Sequence, residues 1–229
     1  MAKISCIICA YNEETRIAAV LSALENHPLI DEVLVVDDGS ADRTSEVVRT
    51  YANVRLISYP VNKGKSYAVT MGIREAAHEL LMFLDADLVG LTSENITALA
   101  EPVLSGEADV AMSLRKNSLW FYKLIGLDYV SGERMFPKTL LLSHLEAIAK
   151  LPGFGIETYM NQLIVEQRLT IRVVRWDNVI NTRKSTKMGF WKGTRAEIHM
   201  VLHILKIIPL REIIRQIVMM RSLAGRPRR

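Results

Sequence analysis

The stretch Leu80-Leu81-Met82-Phe83-Leu84-Asp85-Ala86-Asp87 decides the fold. An apolar run that leads into two carboxylates is typical of a strand buried on both faces in a parallel sheet. Ligands of open α/β sheets bind outside the carboxyl ends of the strands, so Asp85 and Asp87 mark a candidate site. If the extended backbone continues through both residues, their side chains share one face about 6–7 Å apart. That spacing suits one divalent ion, or an ion and a sugar hydroxyl.

Strand and helix patterns alternate on both sides of this stretch. Strands are predicted for residues 4–10, 31–38, 54–58, 108–113 and 169–176. Helices are predicted for residues 13–26, 44–51, 66–77, 92–104, 137–150 and 156–168, whereas residues 114–136 show no clear period. This alternation predicts an α/β fold with a mostly parallel sheet flanked by helices.

Composition excludes several classes of protein. With 229 residues, 49% of them hydrophobic, the chain can bury a sizeable core. No apolar run reaches the ~18 residues that span a bilayer, and the N-terminus lacks a secretory signal pattern, so we expect a cytoplasmic site. Residues 211–229 are rich in arginine but lack interleaved aromatic residues, so no nucleic-acid partner is predicted. Cys6 and Cys9 lie three apart on a predicted strand and should be two buried thiols on opposite faces.

Polar groups follow three of the predicted parallel strands and one loop. They are Ala10-Tyr11-Asn12-Glu13, Asp37-Asp38-Gly39-Ser40, Asp85-Ala86-Asp87 and Asn62-Lys63-Gly64-Lys65. Each alone is ordinary turn chemistry, but parallel strands bring their carboxyl ends to one edge. Acids, amides, an aromatic ring and lysines around one cleft favour a ligand with hydrogen-bonding edges and phosphates held through a metal.

These segments, in this order, resemble family 2 glycosyltransferases of the GT-A fold. The resemblance covers about the first 113 residues. Farther on, Ser131-Gly132-Glu133-Arg134 and Pro152-Gly153-Phe154-Gly155-Ile156-Glu157 are similar to segments of glucosyl-phosphoglycerate synthases. The implied organisation is a GT-A domain over residues 1–180, with a nucleotide-sugar half (1–113) and an acceptor half (114–180). A C-terminal amphipathic, basic helical segment (181–229) follows it.

The resemblance implies roles for individual residues. Ala10, Tyr11, Asn12 and Glu13 would line the donor pocket, Asp38 would accept a ring N–H of the base, and Lys65 would approach the diphosphate. Asp85 would hold the ribose or sugar. Asp87 would bind Mg²⁺ or Mn²⁺. Relatives usually carry a histidine as a further metal ligand after the last strand, where this chain has Asn181, which offers only a neutral oxygen.

The catalytic base is open at this stage. Transfer to a hydroxyl with inversion needs a carboxylate near the attacking oxygen. Glu157 opens a predicted helix whose dipole favours its ionised form, and Asp128 and Glu133 are rivals. A phosphate acceptor arrives ionised and needs no base, in which case Arg134 would contact acceptor or diphosphate oxygens.

The C-terminal segment carries two apolar stripes. One contains Ile198, Val201, Leu202, Leu205 and Ile208; the other contains Leu210, Ile213, Ile214 and Ile217, with arginines off the stripe. Such segments suit an anionic membrane surface. Packing against the domain or in a homo-oligomer is the alternative.

The sequence thus predicts a metal-dependent glycosyltransferase. Its donor would be a nucleotide sugar, UDP-linked first and GDP-linked second. Its acceptor would be lipid-linked or a lipid phosphate, such as a polyprenyl phosphate, at the cytoplasmic face of the membrane. A soluble acceptor, or sugar-nucleotide binding without turnover, remains an alternative. A nucleotidyltransferase is disfavoured, because the loop Tyr11-Asn12-Glu13-Glu14 lacks the glycines and arginines that hold a triphosphate.

Overall fold

A computed structural model of the chain describes residues 2–152, 155–181 and 208–226. The strands are β1 (Ile4–Ala10), β2 (Glu32–Asp37), β3 (Val54–Ser58), β4 (Leu80–Asp85), β5 (Leu88–Val89), β6 (Val110–Arg115), β7 (Arg134–Pro137), β8 (Ile171–Trp176) and β9 (Ile180–Asn181). The helices are α1 (Ile17–Leu24), α2 (Thr44–Arg49), α3 (Lys65–Glu75), α4 (Ser93–Leu104), α5 (Trp120–Ile125), α6 (Thr139–Leu142), α7 (Leu145–Ala149), α8 (Gly155–Glu166) and α9 (Leu210–Leu223).

Seven of these strands form one sheet in the order β3-β2-β1-β4-β7-β6-β8. Six strands run in the same direction and β7 runs against its neighbours β4 and β6. The strand order reverses between β1 and β4, where Cys9 pairs with Asp85. Ligands bind at such a switch point in open α/β sheets. The predicted mostly parallel α/β sheet is confirmed.

Buried apolar side chains cover both faces of the sheet. One core cluster packs α1, α2 and α4 against one face, and the other packs α3 and α5–α9 against the opposite face. Local sequence sets the ends of these helices; α4, for example, begins with a capping box between Thr92 and Asn95. Cys6 belongs to one cluster and Cys9 packs against the other. Both thiols are free; Cys6 is buried as predicted, whereas Cys9 is half-buried.

The largest departure from the sequence prediction lies between β6 and α8. The predicted helix at 137–150 is instead the end of β7 followed by the two short helices α6 and α7. Strand β7 has only four residues and begins with Arg134. It was missed because so short a run, led by a charged residue, shows no strand period; its pairing depends on β4 and β6 on either side.

The C-terminal helix α9 packs against the domain. Its Ile213 and Ile217 contact the core, and the Tyr129 hydroxyl donates to Gln216 Oε1 at 2.7 Å. Leu210 and Ile214 are exposed, so only part of the predicted stripe packs against the domain. The other predicted stripe, at 198–208, lies outside the described residues except for its last member. None of the described helices has the length and apolar character needed to cross a membrane.

Candidate active site

Three segments at the carboxyl edge of the sheet form a cluster that we call the donor loops: residues 10–14, 37–44 and 59–64. Asp38, directly after β2, is buried and accepts three hydrogen bonds. Its Oδ1 accepts from the Tyr59 hydroxyl and the Lys63 amide, both at 2.8 Å, and its Oδ2 accepts from the Gly64 amide at 2.9 Å. Gly39 allows this approach, because a Cβ there would lie 2.6 Å from the Asn62 nitrogen.

The segment after β1 is held to the same cluster. Asn12 has φ +55° and bonds to both sides of the loop: its amide donates to Ser40 Oγ and its Oδ1 accepts from the Ala41 amide, each at 2.9 Å. The Glu13 amide donates to Thr44 Oγ1 at 2.8 Å. Tyr11 is exposed between these anchored residues. The predicted residues Tyr11, Asn12, Glu13 and Asp38 therefore share one edge of the sheet.

Lys65 bridges two carboxylates beside this cluster. Its Nζ donates to Asp85 Oδ1 at 3.0 Å and to Glu157 Oε1 at 2.8 Å. Burial alone lowers the pKa of Lys65, but the charges of Asp85 and Glu157 outweigh burial and raise it well above its ordinary value. The side chain is 37% exposed. A fixed, fully protonated ammonium group therefore lies at the end of β4, where the sequence placed a diphosphate contact.

Glu157 does not fit the predicted role of an exposed base. Its side chain is buried, and its Oε2 has no hydrogen-bond partner within the part of the chain that the structure describes. A cavity of about 20 Å³, enough for one water, lies among Glu157, Lys65, Asp85, Gly132 and apolar residues. In this position Glu157 accepts a hydrogen bond from Lys65 and fixes its ammonium group.

Arg115, at the carboxyl end of β6, was missed by the sequence interpretation. Its Nη1 donates to Glu133 Oε1 at 2.6 Å and lies 3.7 Å from Asp85 Oδ2, while its Nη2 lies 3.7 Å from Asp128 Oδ2. The rule that singled out Asp85, a charged residue ending a parallel strand, would also have found Arg115. We call Lys65, Asp85, Arg115, Asp128, Glu133, Arg134 and Glu157 the charge network.

Two carboxyl groups of this network are shifted in opposite directions. Burial raises the pKa of Glu133, and the nearby Asp85 charge adds to that effect against the opposing Arg115 charge. Burial also acts to raise the pKa of Asp85, but Lys65 and Arg115 outweigh it and the pKa is lowered. The pKa of Asp85 therefore lies below that of Glu133, and Asp85 is the first of the two to ionise as the pH rises.

Gly132 lets Asp85 reach this position. A Cβ at Gly132 would lie 2.7 Å from Asp85 Oδ1 and 2.9 Å from Oδ2, which is too close for any side chain. The glycine of the Ser131-Gly132-Glu133-Arg134 segment is thus explained by close packing against a carboxylate of the site.

Arg134 requires a correction. It is fully buried, and its guanidinium donates to the Ser131 carbonyl at 2.8 Å, to Asn161 Oδ1 at 2.7 Å and to the Tyr129 carbonyl at 3.3 Å. Burial lowers the pKa of this side chain. These partners join β7 to α8 inside the protein, so the predicted contact with substrate oxygens does not fit. Arg115 is the arginine beside Asp85.

The two predicted metal ligands come from neighbouring segments. Strand β4 ends at Asp85 and the chain turns, so the extended geometry expected through Asp87 is wrong. After the turn, Leu88 of β5 pairs with Asn181 of β9, so Asn181 lies opposite the residue that follows Asp87. Asn181 Oδ1 accepts from Asn117 Nδ2 at 3.0 Å. The described residues contain no group of three His, Cys, Asp or Glu placed to hold a metal.

One carboxylate and one amide oxygen nevertheless match the ligand chemistry that Mg²⁺ and Mn²⁺ prefer. These ions prefer oxygen ligands, and Mg²⁺ in phosphate-transfer sites is commonly bound through one or two carboxylates, with substrate phosphates completing its shell. Asp87 is partly exposed, as such a ligand must be.

The sequence matches a family model and several curated proteins. Residues 5–148 match the family model described as Glycosyl transferase family 2. The chain is 40% identical over 171 residues to the 4,4'-diaponeurosporenoate glycosyltransferase of Staphylococcus haemolyticus, covering 69% of this chain and 44% of that protein. It is 37% identical over 97 residues to a dolichyl-phosphate beta-glucosyltransferase of Trichomonas vaginalis, covering 37% of this chain and 30% of that protein.

A solved structure extends the comparison to the fold. The glucosyl-3-phosphoglycerate synthase of Mycobacterium tuberculosis, in complex with Mn²⁺, UDP and glucosyl-3-phosphoglycerate, superposes with a TM-score of 0.64 at 25% identity. The superposition covers 79% of this chain and 72% of that one. The chain thus matches less than half the length of both curated relatives but most of this solved structure.

Proposed function

The chain belongs to glycosyl transferase family 2, and from that premise we propose that it transfers a sugar from a nucleotide-sugar donor to a lipid-phosphate acceptor at a membrane surface. A UDP-linked donor is favoured over a GDP-linked one. The transfer depends on Mg²⁺ or Mn²⁺. The cytoplasmic side of the membrane and the domain boundary after residue 180 belong to the same proposal.

One observation carries the choice of acceptor. All three carboxylates that the sequence offered as a base are buried and bonded inside the protein: Glu157 to Lys65, Glu133 to Arg115, and Asp128 to the Ser118 hydroxyl. An acceptor hydroxyl would need one of them to take its proton. A phosphate acceptor carries its own charged oxygen and needs no base. The dolichyl-phosphate enzyme of T. vaginalis, by its name, acts on such an acceptor.

Asp38 supports a donor base with a ring N–H. A carboxylate offers about four acceptor positions, and Tyr59, Lys63 and Gly64 occupy three of them. The position left on Oδ2 suits the ring N–H of uracil, and guanine is the second choice because it also has one. The solved relative contains UDP.

Breaking the bond between sugar and nucleotide places negative charge on the departing diphosphate. Lys65, fixed between Asp85 and Glu157, supplies one positive charge for it. Asp87 and Asn181 would hold the metal, which supplies a second positive charge to the same oxygens. Asp85, which is partly exposed, would hold a sugar or ribose hydroxyl beside Lys65.

A paired-acceptor assay tests this function. The full-length chain is incubated with Mn²⁺ and a panel of UDP- and GDP-sugars. The acceptor is a polyprenyl phosphate or the matched polyprenol in detergent, and the release of UDP or GDP is measured. We expect release only with the phosphorylated lipid. Equal turnover of the polyprenol, or faster turnover of a soluble phosphorylated acceptor, would overturn the assignment of the acceptor.

The Asp87→Asn variant tests the metal assignment in the same assay. Weaker metal binding would remove positive charge that stabilises the departing nucleoside diphosphate, so turnover should fall by about 10²–10³-fold. The residue lies at a turn outside the core, so the melting temperature without ligand should stay close to that of the wild type. Unchanged turnover with Mn²⁺ present would remove Asp87 from the site.

A further inference from the structure

Helix α5 presents large apolar side chains to solvent. Trp120 is 75% exposed, Leu124 is 78% exposed and Phe121 is 38% exposed. Trp120 and Leu124 are one turn apart and lie on the same side of the helix, and the rings of Trp120 and Phe121 meet edge to face at 6.2 Å. Isolated exposed apolar residues are normal, but a contiguous group that contains a tryptophan marks an interaction surface.

The opposite side of α5 fixes its orientation. Tyr122 is buried, Leu119 and Ile125 pack against the core, and Gly126 ends the helix with φ +68°. The exposed face is therefore a fixed outward surface of the folded domain. Trp120, Phe121 and Leu124, with the exposed lysines Lys116 and Lys123, form what we call the α5 face.

The charge of the α5 face indicates its partner. Residues 116–127 contain two lysines and no acid. Both lysines are exposed, and Lys123 Nζ donates to the Lys116 carbonyl, so the two cationic residues lie together. A two-fold contact with a second copy of the chain would set the same cationic patch against itself. An anionic bilayer instead attracts lysine at its surface and takes up tryptophan at the level of the head groups.

The α5 face lies next to the site. Just before α5, the Lys116 amide donates to the Val179 carbonyl at 3.1 Å, and Asn117 Nδ2 donates to the Asn181 carbonyl at 2.9 Å. Asn181 in turn pairs with Leu88, the residue that follows Asp87. A bilayer against α5 would thus lie close to Asn181, because the residues just before α5 bond directly to the segment that contains it.

We propose that the α5 face docks the protein on an anionic lipid bilayer. Docking there brings the carboxyl edge of the sheet to the head-group region, where the phosphate of a lipid acceptor lies. The link to the acceptor rests on the proposed function, whereas docking itself can be measured without turnover.

Vesicle sedimentation of the full-length chain tests the docking. The double variant Trp120→Ser/Leu124→Ser is compared with Leu142→Ser, which removes an apolar side chain that is 44% exposed on α6. With vesicles that contain phosphatidylglycerol, we expect the double variant to bind about tenfold more weakly and Leu142→Ser to bind like the wild type. Lys116→Ser/Lys123→Ser should weaken binding to these vesicles and leave the weaker binding to neutral vesicles unchanged. The variant Ile214→Ser/Val218→Ser, which removes two exposed apolar side chains of α9, shows whether α9 also contacts the vesicles.

Folding and activity are measured on the same variants. The melting temperature and its rise with UDP and Mn²⁺ should be unchanged in the double variant. The release of the nucleoside diphosphate with a detergent-solubilised polyprenyl phosphate should also be unchanged. Loss of vesicle binding with these values intact supports docking through α5. Vesicle binding that depends on α5 without turnover of any lipid phosphate would leave docking in place and overturn the proposed function.

Three results would overturn the docking proposal. The wild type fails to sediment with anionic vesicles, or the double variant binds as well as the wild type. Alternatively, the wild type is a dimer in solution that the double variant dissociates, which would make a second copy of the chain the occupant of the α5 face.

Discussion

The donor loops and the charge network lie side by side, but their carboxylates are stabilised in different ways. In the donor loops, Asp38 accepts from two backbone amides, and Asp37 accepts from the Ser40 amide at 3.0 Å. In the charge network, Glu157 and Glu133 accept from the side-chain cations Lys65 and Arg115. The first arrangement depends on the path of a loop, the second on charges brought together from distant segments.

This difference separates two kinds of contribution to function. A carboxylate surrounded by amides keeps its position as long as the loop is folded, which suits recognition of a donor. A buried pair of charges becomes strongly destabilising when one partner is removed. Mutations of fully buried members of the charge network, such as Glu133 and Arg134, should therefore act mainly on folding, and mutations in the donor loops on nucleotide affinity. The four changes below test that division, from the largest expected effect to the smallest.

Arg134→Met should give the largest effect on stability. The change leaves Asn161 Oδ1 and the Ser131 carbonyl without their donor, and it removes a cation close to Asp128 and Glu157. We expect the free energy of unfolding to fall by about 3 kcal/mol, measured by urea denaturation. Arg172→Met is the matched control, because Arg172 forms an exposed pair with Glu107 at 3.3 Å; it should cost less than about 1 kcal/mol.

A second measurement on Arg134→Met separates folding from binding. The folded fraction of the variant should bind UDP with the affinity of the wild type, since Arg134 is buried away from the cleft. A large loss of UDP affinity with normal stability would restore the substrate contact that the sequence suggested.

Asp38→Asn should act on affinity. The amide that replaces one carboxylate oxygen cannot accept a hydrogen bond, so either a loop amide or the nucleotide base loses its partner. We expect UDP to bind about tenfold more weakly, or about 1.4 kcal/mol, by calorimetry with Mn²⁺. Asp31→Asn is the control: Asp31 Oδ2 accepts from the Ile4 amide at 3.0 Å at the opposite end of β1. That variant should leave UDP affinity unchanged, and an equal loss in both variants would mean that Asp38 has no specific part in binding.

The dependence of stability on pH should show the smallest effect. Asp85 has a lowered pKa in the folded protein, so its contribution is present above its unfolded pKa of about 3.9 and is lost as the pH falls through the lower folded value. Asp85→Asn should therefore flatten the decline in stability below about pH 4, by on the order of 1 kcal/mol. Urea denaturation between about pH 2 and 5 measures this. A decline as steep as that of the wild type would contradict it.

The dependence of stability on pH should have the opposite sign for Glu133. Its pKa is raised by burial, so its contribution to stability is present below its unfolded pKa of about 4.3 and is lost as the pH rises through the folded value. Glu133→Gln should remove that loss. Its effect on stability therefore appears as the pH rises above about 4.3, whereas the effect of Asp85→Asn appears as the pH falls below about 4.

The sequence predicted the parts of the molecule in which local pattern determines structure. Apolar strands that end in acids predicted β2, β4 and the positions of Asp38 and Asp85 at one edge of the sheet. The role of Arg115 depends on β7, which brings Glu133 alongside it, and no local pattern encodes that pairing. Arg134 was assigned to substrate for the same reason: its partners Tyr129 and Asn161 are distant from one another in sequence and meet only in the fold.

Strand β7 also has a consequence for how the chain folds. Strands β1–β4 pair with one another and can form as a unit, but β4 and β6 meet only through β7, which follows both of them in the chain. Until β7 inserts, each has one unpaired edge, which is a site for aggregation. Joining the two parts of the sheet needs contacts distant in sequence, which slows folding. In pulse-labelling hydrogen exchange during refolding, the amides of β6 should become protected together with those of β7 and after those of β1.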